Sequence, residues 1–171
     1  KDYGEIKLKT LIRTEQDMVS RILKKELEEL QKTDEKTSNG VRNLKQYGTT
    51  GIRGEALAGY PSVTEIALPV LTDGLYKEKE WNKIKLQILF ALMSRVQDSN
   101  ILARTNPAVL YDVQVQSMKF LNEGGAYSEH ALEKLYLMDA EYTDKNISAG
   151  GCADLLAVSV FLAMICNKIP Q

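Results

Sequence analysis

A chain of 171 residues with 44% hydrophobic and 26% charged residues has the composition of one globular domain and is too short for two ordinary ones. Its 22 basic and 23 acidic residues nearly cancel, which excludes a general electrostatic attraction to nucleic acid or to an anionic membrane. The longest apolar run, 155–166, is far shorter than the roughly 20 residues that cross a bilayer. An anionic ligand would therefore have to be bound by local groups.

The first half of the chain contains one clear amphipathic pattern. Apolar residues at helical spacing predict a helix over 11–30, and the polar stretch 32–39 predicts an exposed, mobile loop. Residues 49–63 have no amphipathic period and predict a second loop. Thr64 is placed to cap a short helix that runs to about Thr72 and is kinked by Pro69.

The second half is predicted to be helical throughout. The clearest long helix covers 78–98, and a further helix begins at Pro107 and stops before Gly124 and Gly125. Ser128 is placed to cap the next helix, over 128–138. Residues 155–165 are apolar on nearly every face, which predicts a helix buried in the middle of a bundle. The sequence thus predicts an all-α, single-domain helical bundle over 1–171 with a buried central C-terminal helix.

Both cysteines lie in this last apolar segment. In one helix, Cys152 and Cys166 would be about 21 Å apart at the usual rise per residue, too far to bridge. We expect two buried, unreactive thiols and a cytoplasmic location.

Three polar stretches at the predicted helix ends are the candidate sites. In the first, 49–63, Gly51, Gly54 and Gly59 would let a ligand approach the backbone, and Arg53 and Glu55 add opposite charges. The alternative is a tight connection between helices with Arg53 and Glu55 paired on the surface.

The second stretch, 95–104, places Asp98 near the predicted end of a helix. A negative charge there is unfavourable by roughly 0.3–1 kcal/mol, and a bound cation would offset it. Two alternatives remain open: Arg95 pairs with Asp98, or Asp98 or Asn100 caps the next helical turn.

The third stretch, 146–154, leads into the last helix through Gly150 and Gly151, which is a plausible cradle for an anion. Asp154 follows in the first turn, where an acidic residue is also ordinary capping chemistry. Because the helix looks fully buried, we expect Asp154 at the mouth of the interior and not freely solvated. The single histidine, His130, is predicted to be solvated.

Together the three stretches resemble the triphosphoribosyl-dephospho-coenzyme A synthase family. The family's Thr-Gly-x-Arg-Gly-Glu-Ala-x-x-Gly-Phe/Tyr-Pro-x-Val pattern is met by 50–63, and its Leu-Met-x-x-Val-x-Asp-Thr-Asn pattern by 92–100 with Ser99 for threonine. Its Ser-Pro-Gly-Gly-Ser-Ala-Asp-Leu-Leu-Ala pattern is met by 148–157, with Ala149 for proline and Cys152 for serine. The resemblance covers roughly residues 10–166.

The chain departs from the family pattern in two ways. After the second motif, relatives continue with His-Arg-Gly-Gly, where this chain has Ala103, Arg104, Thr105 and Asn106. The family's N-terminal half, with its own motifs, is absent. We therefore expect the chain to be the C-terminal part of a larger enzyme, with the N-terminal half as a partner and association between copies as a further expectation.

The resemblance implies a pentosyl transfer. The 2′-hydroxyl of 3′-dephospho-coenzyme A attacks the ribose anomeric carbon of ATP, adenine leaves, and the product is the prosthetic-group precursor of citrate lyase or malonate decarboxylase. On this hypothesis Asp98 and Asp154 bind Mg²⁺ with Asn100 in support, Asp98 is also catalytic, and Glu55 orients a ribose hydroxyl or acts as base.

Phosphate binding is assigned to two arginines and four glycines. Arg53 and Arg104 would clamp phosphates through bidentate contacts. The glycines that would offer backbone N–H groups are Gly51, Gly54, Gly150 and Gly151. Two alternatives are a non-catalytic helical module that binds a nucleotide or a partner, and a Mg²⁺-dependent nucleotide hydrolase.

Overall fold

The computed structural model describes residues 3–32 and 39–166, and these form helices joined by short turns, with no strand among them. Of the polar stretch 32–39, residues 33–38 lie outside the described part. In chain order the helices are α1 (Tyr3–Lys32), α2 (Asn39–Tyr47), α3 (Gly51–Ala58), a π-helical turn (Val63–Ala67), α4 (Leu68–Tyr76), α5 (Trp81–Met93), α6 (Ser99–Arg104), α7 (Pro107–Asn122), a 3₁₀ turn (Gly125–Tyr127), α8 (Ala131–Asp144) and α9 (Gly150–Ile165).

The helix at the centre of the core is α5. Its Ile84, Ile88 and Leu92 have no exposed area, and it packs against α4, α7 and α9. Leu71 of α4 and Val113 of α7 fill the same core. The predicted all-α, single-domain fold is confirmed, and the large apolar content of the chain is used in one main cluster.

Helix α9 is buried along one side. Cys152, Leu155 and Ser159 face the core, whereas Phe161 and Met164 are 60% and 57% exposed on the opposite side. The apolar pattern on every face therefore corresponds to a helix that this chain covers on one face only. Both cysteines are free and buried, as predicted.

The predicted binding loop over 49–63 is mostly helical. Arg53, Glu55 and the Ala and Leu residues around them are good helix formers, and they form α3 between glycines at its two ends. Gly59 ends the helix with a left-handed φ of 80°. Only Thr49 and Thr50 and the turn at 59–60 remain outside helices.

The helix predicted after Thr64 begins earlier and is not capped by that residue. Residues 61–62 are already helical, and the Thr64 hydroxyl donates to the carbonyl of Tyr60 at 3.2 Å. A π-turn follows, in which the N–H of Leu68 bonds to the carbonyl of Val63. The wide turn accommodates Pro69, which has no N–H and would crowd an α-helical carbonyl four residues earlier.

Two further helix boundaries differ from the prediction. Helix α5 ends at Met93, not at Asp98, and Asp98 instead begins α6. Helix α8 begins at Ala131, and the Ser128 hydroxyl bonds to the carbonyl of Gly125 and does not cap it. By contrast α7 begins at Pro107 as predicted.

None of the described helices combines the length and the apolar character that a bilayer crossing requires.

Candidate functional site

A cavity of about 270 Å³ lies where the starts of α3, α6 and α9 meet. Its walls come from 49–52, 54 and 55 at the start of α3, from the turn 95–99 between α5 and α6, and from Ser62, Gly151 and Leu155. All three polar stretches identified in the sequence therefore contribute to one cavity, although they are far apart along the chain. Helix starts carry the positive end of the helix dipole, which stabilises a negative group placed against them.

The carboxylate of Asp98 joins two of these helix starts. Its Oδ1 accepts the backbone N–H groups of Asn100 at 2.8 Å and Ile101 at 3.3 Å, which is the N-cap of α6. Its Oδ2 accepts the N–H of Cys152 in the first turn of α9 at 2.8 Å. The side chain is 1% exposed. The capping alternative for Asp98 is therefore confirmed, and no cation is needed to offset its charge.

The small size of Gly151 permits this junction. A Cβ at Gly151 would lie 3.1–3.3 Å from the three carboxyl atoms of Asp98, closer than an ordinary contact. The neighbouring Cys152 is fully buried, and burial, followed by the charge of Asp98 and a hydrogen bond to it, raises the pKa of its thiol well above the usual range. The Cys152 thiol is thus a neutral part of the junction and not a nucleophile.

Glu55 is the second carboxylate of the cavity and is also held at a helix start. Its Oε1 accepts the hydroxyl of Ser62 at 2.6 Å, and its Oε2 accepts the backbone N–H of Ser62 at 3.1 Å. Unlike Asp98, Glu55 is partly exposed and lines the cavity wall. It is the carboxylate that a bound ligand would meet.

Arg95 is a cavity residue to which the sequence analysis assigned no ligand. It is exposed, lines the cavity, and makes no ion pair or side-chain hydrogen bond with the described part of the chain. In particular it does not pair with Asp98, the alternative left open above. The signal that could have identified Arg95 is its position in the turn directly before Asp98, on the same polar stretch.

Five of the predicted site residues do not line this cavity. Arg53 turns away to α1, where its Nε and Nη2 lie 3.0 and 2.8 Å from Oε1 of Glu26. Arg104 is exposed and donates to Asn146. The others are Asn100, Gly150 and Asp154.

The prediction that Asp154 lies at the mouth of the interior is wrong. Asp154 is exposed on the outer side of α9, because the first turn of this helix presents Cys152 and Leu155 to the core. The pair Asp98 and Asp154 therefore cannot form the predicted metal site together. Within residues 3–32 and 39–166, no group of three or more His, Cys, Asp or Glu side chains could hold a metal ion.

The glycines at the cavity serve close packing between helices. Gly51 has φ +55°, and a Cβ there would lie 3.1 Å from the Ser99 hydroxyl oxygen. At Gly54 a Cβ would collide with the side chain of Thr50. A larger residue at either position would push the walls apart.

His130, as predicted, is solvated, with 68% of its side chain exposed.

The fold and the cavity define an all-α protein with a small polar pocket at converging helix starts. The sequence profile of one family, ATP:dephospho-CoA triphosphoribosyl transferase, matches residues 4–170. The chain belongs to this family.

Curated relatives agree with this assignment. A 2-(5''-triphosphoribosyl)-3'-dephosphocoenzyme-A synthase of Escherichia fergusonii is 38% identical over 147 residues, which are 86% of this chain and 47% of the relative. A probable synthase of the same name from Lactiplantibacillus plantarum is 33% identical over 164 residues, 95% of this chain and 56% of the relative. The chain thus spans about half the length of the curated relatives it matches. No solved structure matches it.

Proposed function

We propose that this chain is the part of a transferase that binds the phosphate and ribose end of ATP. The complete enzyme would move the triphosphoribosyl group of ATP to the 2′-hydroxyl of 3′-dephospho-coenzyme A, with release of adenine. The observation that carries the proposal is the convergence of the three family motifs on one polar cavity with Arg95 exposed at its wall.

The charges around the cavity support a division of roles. Arg95 is the exposed cation at the wall, and a guanidinium binds phosphate oxygens through two parallel hydrogen bonds. Glu55 is the partly exposed carboxylate, and we assign to it the contact with a ribose hydroxyl or the role of base. Asp98, which is buried and accepts three backbone N–H groups, is a positioning residue that holds the starts of α6 and α9 together.

The size of the cavity supports a shared active site. Pockets that enclose a drug-sized ligand measure roughly 300–1,000 Å³, and this cavity, at about 270 Å³, must accommodate parts of two nucleotides. We therefore propose that the remaining half of the family's sequence completes the site, either in the same polypeptide or as a separate one.

Mg²⁺ belongs to the proposal only as a companion of the triphosphate, since Mg²⁺ commonly binds through one or two carboxylates together with substrate phosphates. The predicted pair of ligands does not fit, so no residue of this chain is assigned to the ion. We further propose a cytoplasmic location, supported by the two free buried thiols and by the nucleotide substrates.

Product analysis tests the proposal. The chain is incubated with ATP, 3′-dephospho-coenzyme A and Mg²⁺, alone and together with the part of the Escherichia fergusonii relative that lies outside its match. Free adenine, released in the same amount as triphosphoribosyl-dephospho-coenzyme A is formed, supports the transfer reaction. Release of inorganic phosphate would instead identify a hydrolase, and no reaction with ATP still bound would identify a nucleotide-binding module.

Direct binding tests the assignment of Arg95. We expect Arg95→Ala to weaken ATP binding by about 10–100-fold, the loss of one charge-assisted contact, and Arg95→Lys to restore part of it. Lys119→Ala, an exposed cation on α7 outside the cavity, is the matched control. Equal affinities in Arg95→Ala and wild type, measured by isothermal calorimetry, would remove Arg95 from the site.

A further inference from the structure

The exposed side of α9 is a continuous apolar stripe. It is formed by Ala153, Ala157, Phe161 and Met164, which are spaced four, four and three residues apart and therefore lie on one face of the helix. All four are exposed, and Phe161 and Met164 keep more than half of their surface. We refer to these four residues as the α9 stripe.

Beyond the exposed Asp154 at its N-terminal end, the α9 stripe has no charged residue of its own helix beside it. From 155 to 166, α9 contains no charged residue, although surface helices normally carry charged side chains on their outer face. On α8 the exposed Leu132 and Tyr136 stand beside the exposed Glu133 and Asp139, as expected for a face in water. From 155 onward the composition of α9 is therefore that of a helix covered on both sides.

The helix that carries the stripe also borders the candidate active site, on its other side. Gly151 and Leu155, in the first turns of α9, line the cavity, whereas Ala153 begins the stripe on the outer face, two residues from each. A segment that covered the stripe would therefore pack against a helix that forms part of the cavity wall.

The length of the curated relatives indicates which segment covers the α9 stripe. The relative from Escherichia fergusonii has about half of its sequence outside the match, which is a segment long enough to cover the stripe. Helix α9 offers the face for such packing. We propose that the α9 stripe is the docking surface for the remaining half of the family's sequence. This inference rests on the proposed sharing of the active site between the two halves, but its test measures assembly without catalysis.

The test is co-expression of this chain with a tagged polypeptide, the part of the Escherichia fergusonii relative outside its match. We expect a complex in a 1:1 ratio and an affinity at least 100-fold lower for Phe161→Asp/Met164→Asp, because charges would replace the central apolar contacts. The matched control, Leu132→Asp/Tyr136→Asp on α8, should bind within threefold of wild type. Ala157→Arg provides a second, independent disruption at the middle of the stripe.

Each other outcome would overturn the inference. These outcomes are the absence of a wild-type complex, a complex insensitive to both changes on α9, or self-association of this chain that the same changes abolish. Circular dichroism and thermal melting of each variant establish that lost binding is not lost folding. A complex that forms as expected but releases no adenine would contradict the proposed function and leave the docking surface intact.

Discussion

The carboxylate of Asp98 accepts the backbone N–H of Cys152, a residue 54 positions away, at 2.8 Å. Through this bond and its cap of α6, one side chain fixes the relative position of two helix starts that border the cavity. The negative charge of Asp98 offsets the positive ends of both helix dipoles. The geometry of the cavity thus depends on a buried residue that has 1% of its surface exposed.

Removing this carboxylate should destabilise the fold. In Asp98→Ala the N–H groups of Asn100 and Cys152 lose their acceptor, which should lower the free energy of unfolding by about 3 kcal/mol. Asp98→Asn keeps one oxygen but places an amide N–H against a helix start, so an intermediate loss is expected. Urea unfolding followed by circular dichroism measures both. Asp139→Asn, an exposed position on α8, should change stability by less than about 0.5 kcal/mol. Equal stability of Asp98→Ala and wild type would show that Asp98 does not hold the starts of α6 and α9 together.

The two adjacent glycines of α9 should respond differently to a methyl group. Alanine normally stabilises a helix by up to about 1 kcal/mol relative to glycine. At Gly151 the added Cβ meets the carboxyl of Asp98 at 3.1–3.3 Å, and three hydrogen bonds prevent that group from moving, so Gly151→Ala should be destabilising. At Gly150 the added Cβ meets the amide end of Asn100, which can rotate, so Gly150→Ala should be near neutral. Chemical denaturation of the two variants measures which is less stable. A lower stability of Gly150→Ala than of Gly151→Ala would contradict the close approach of Gly151 to Asp98.

The Cys152 thiol should be unreactive in the folded protein. Burial first, and then the charge of Asp98 and its hydrogen bond, raise the pKa of this thiol, so almost no thiolate is present at about pH 8. In a Cys166→Ser background, a disulfide reagent such as DTNB should modify Cys152 only as fast as the protein unfolds, and at once in guanidinium chloride. Fast modification of the folded protein would mean that the junction opens without unfolding.

Tyr142 should weaken the fold at alkaline pH. Burial raises its pKa from the ordinary 10.0 to about 12, so folding favours the neutral phenol. The part of the unfolding free energy that comes from keeping this phenol neutral is complete below pH 10 and is lost as the pH rises from about 10 to about 12. Tyr142→Phe should therefore reduce this alkaline loss, measured by urea unfolding across that interval. Tyr136→Phe, 74% exposed, should retain it. An identical alkaline loss in both variants would exclude Tyr142 as its source.

Local sequence signals were sufficient where a helix boundary depends on adjacent residues. Asn106 accepts the N–H of Val109, Pro107 follows it, and Gly124 has a left-handed φ of 99°, so α7 begins and ends close to where the sequence indicates. The same holds for the cavity. Gly51 and Asp98 lie at helix starts, and the side chain of Glu55 reaches Ser62 at the start of the next helical stretch.

The features that the sequence did not predict depend on contacts between residues that are distant along the chain. No glycine or proline marks the turn after Met93; this boundary coincides with Asp98 reaching Cys152 on another helix. Arg53 has a long side chain that pairs with Glu26 on α1, 27 residues earlier, and the sequence alone does not determine that direction. The apolar sequence of α9 predicts burial but not which face this chain leaves open, and this is why Asp154 was placed wrongly.

The π-turn at Val63–Ala67 constrains how the chain can vary in length. Such a turn holds one residue more than an α-helical turn, so the residues after it keep their faces when that extra residue is lost. A deletion within α4, before Leu71, would instead rotate the residues after it by roughly 100°. Leu71 would then leave the core, and Gly74, where a Cβ would already collide with Ile84, would be replaced at the contact with α5 by a larger neighbour. The loss of one residue should therefore preserve the packing of α4 when it falls in this wide turn, and disrupt that packing when it falls within α4.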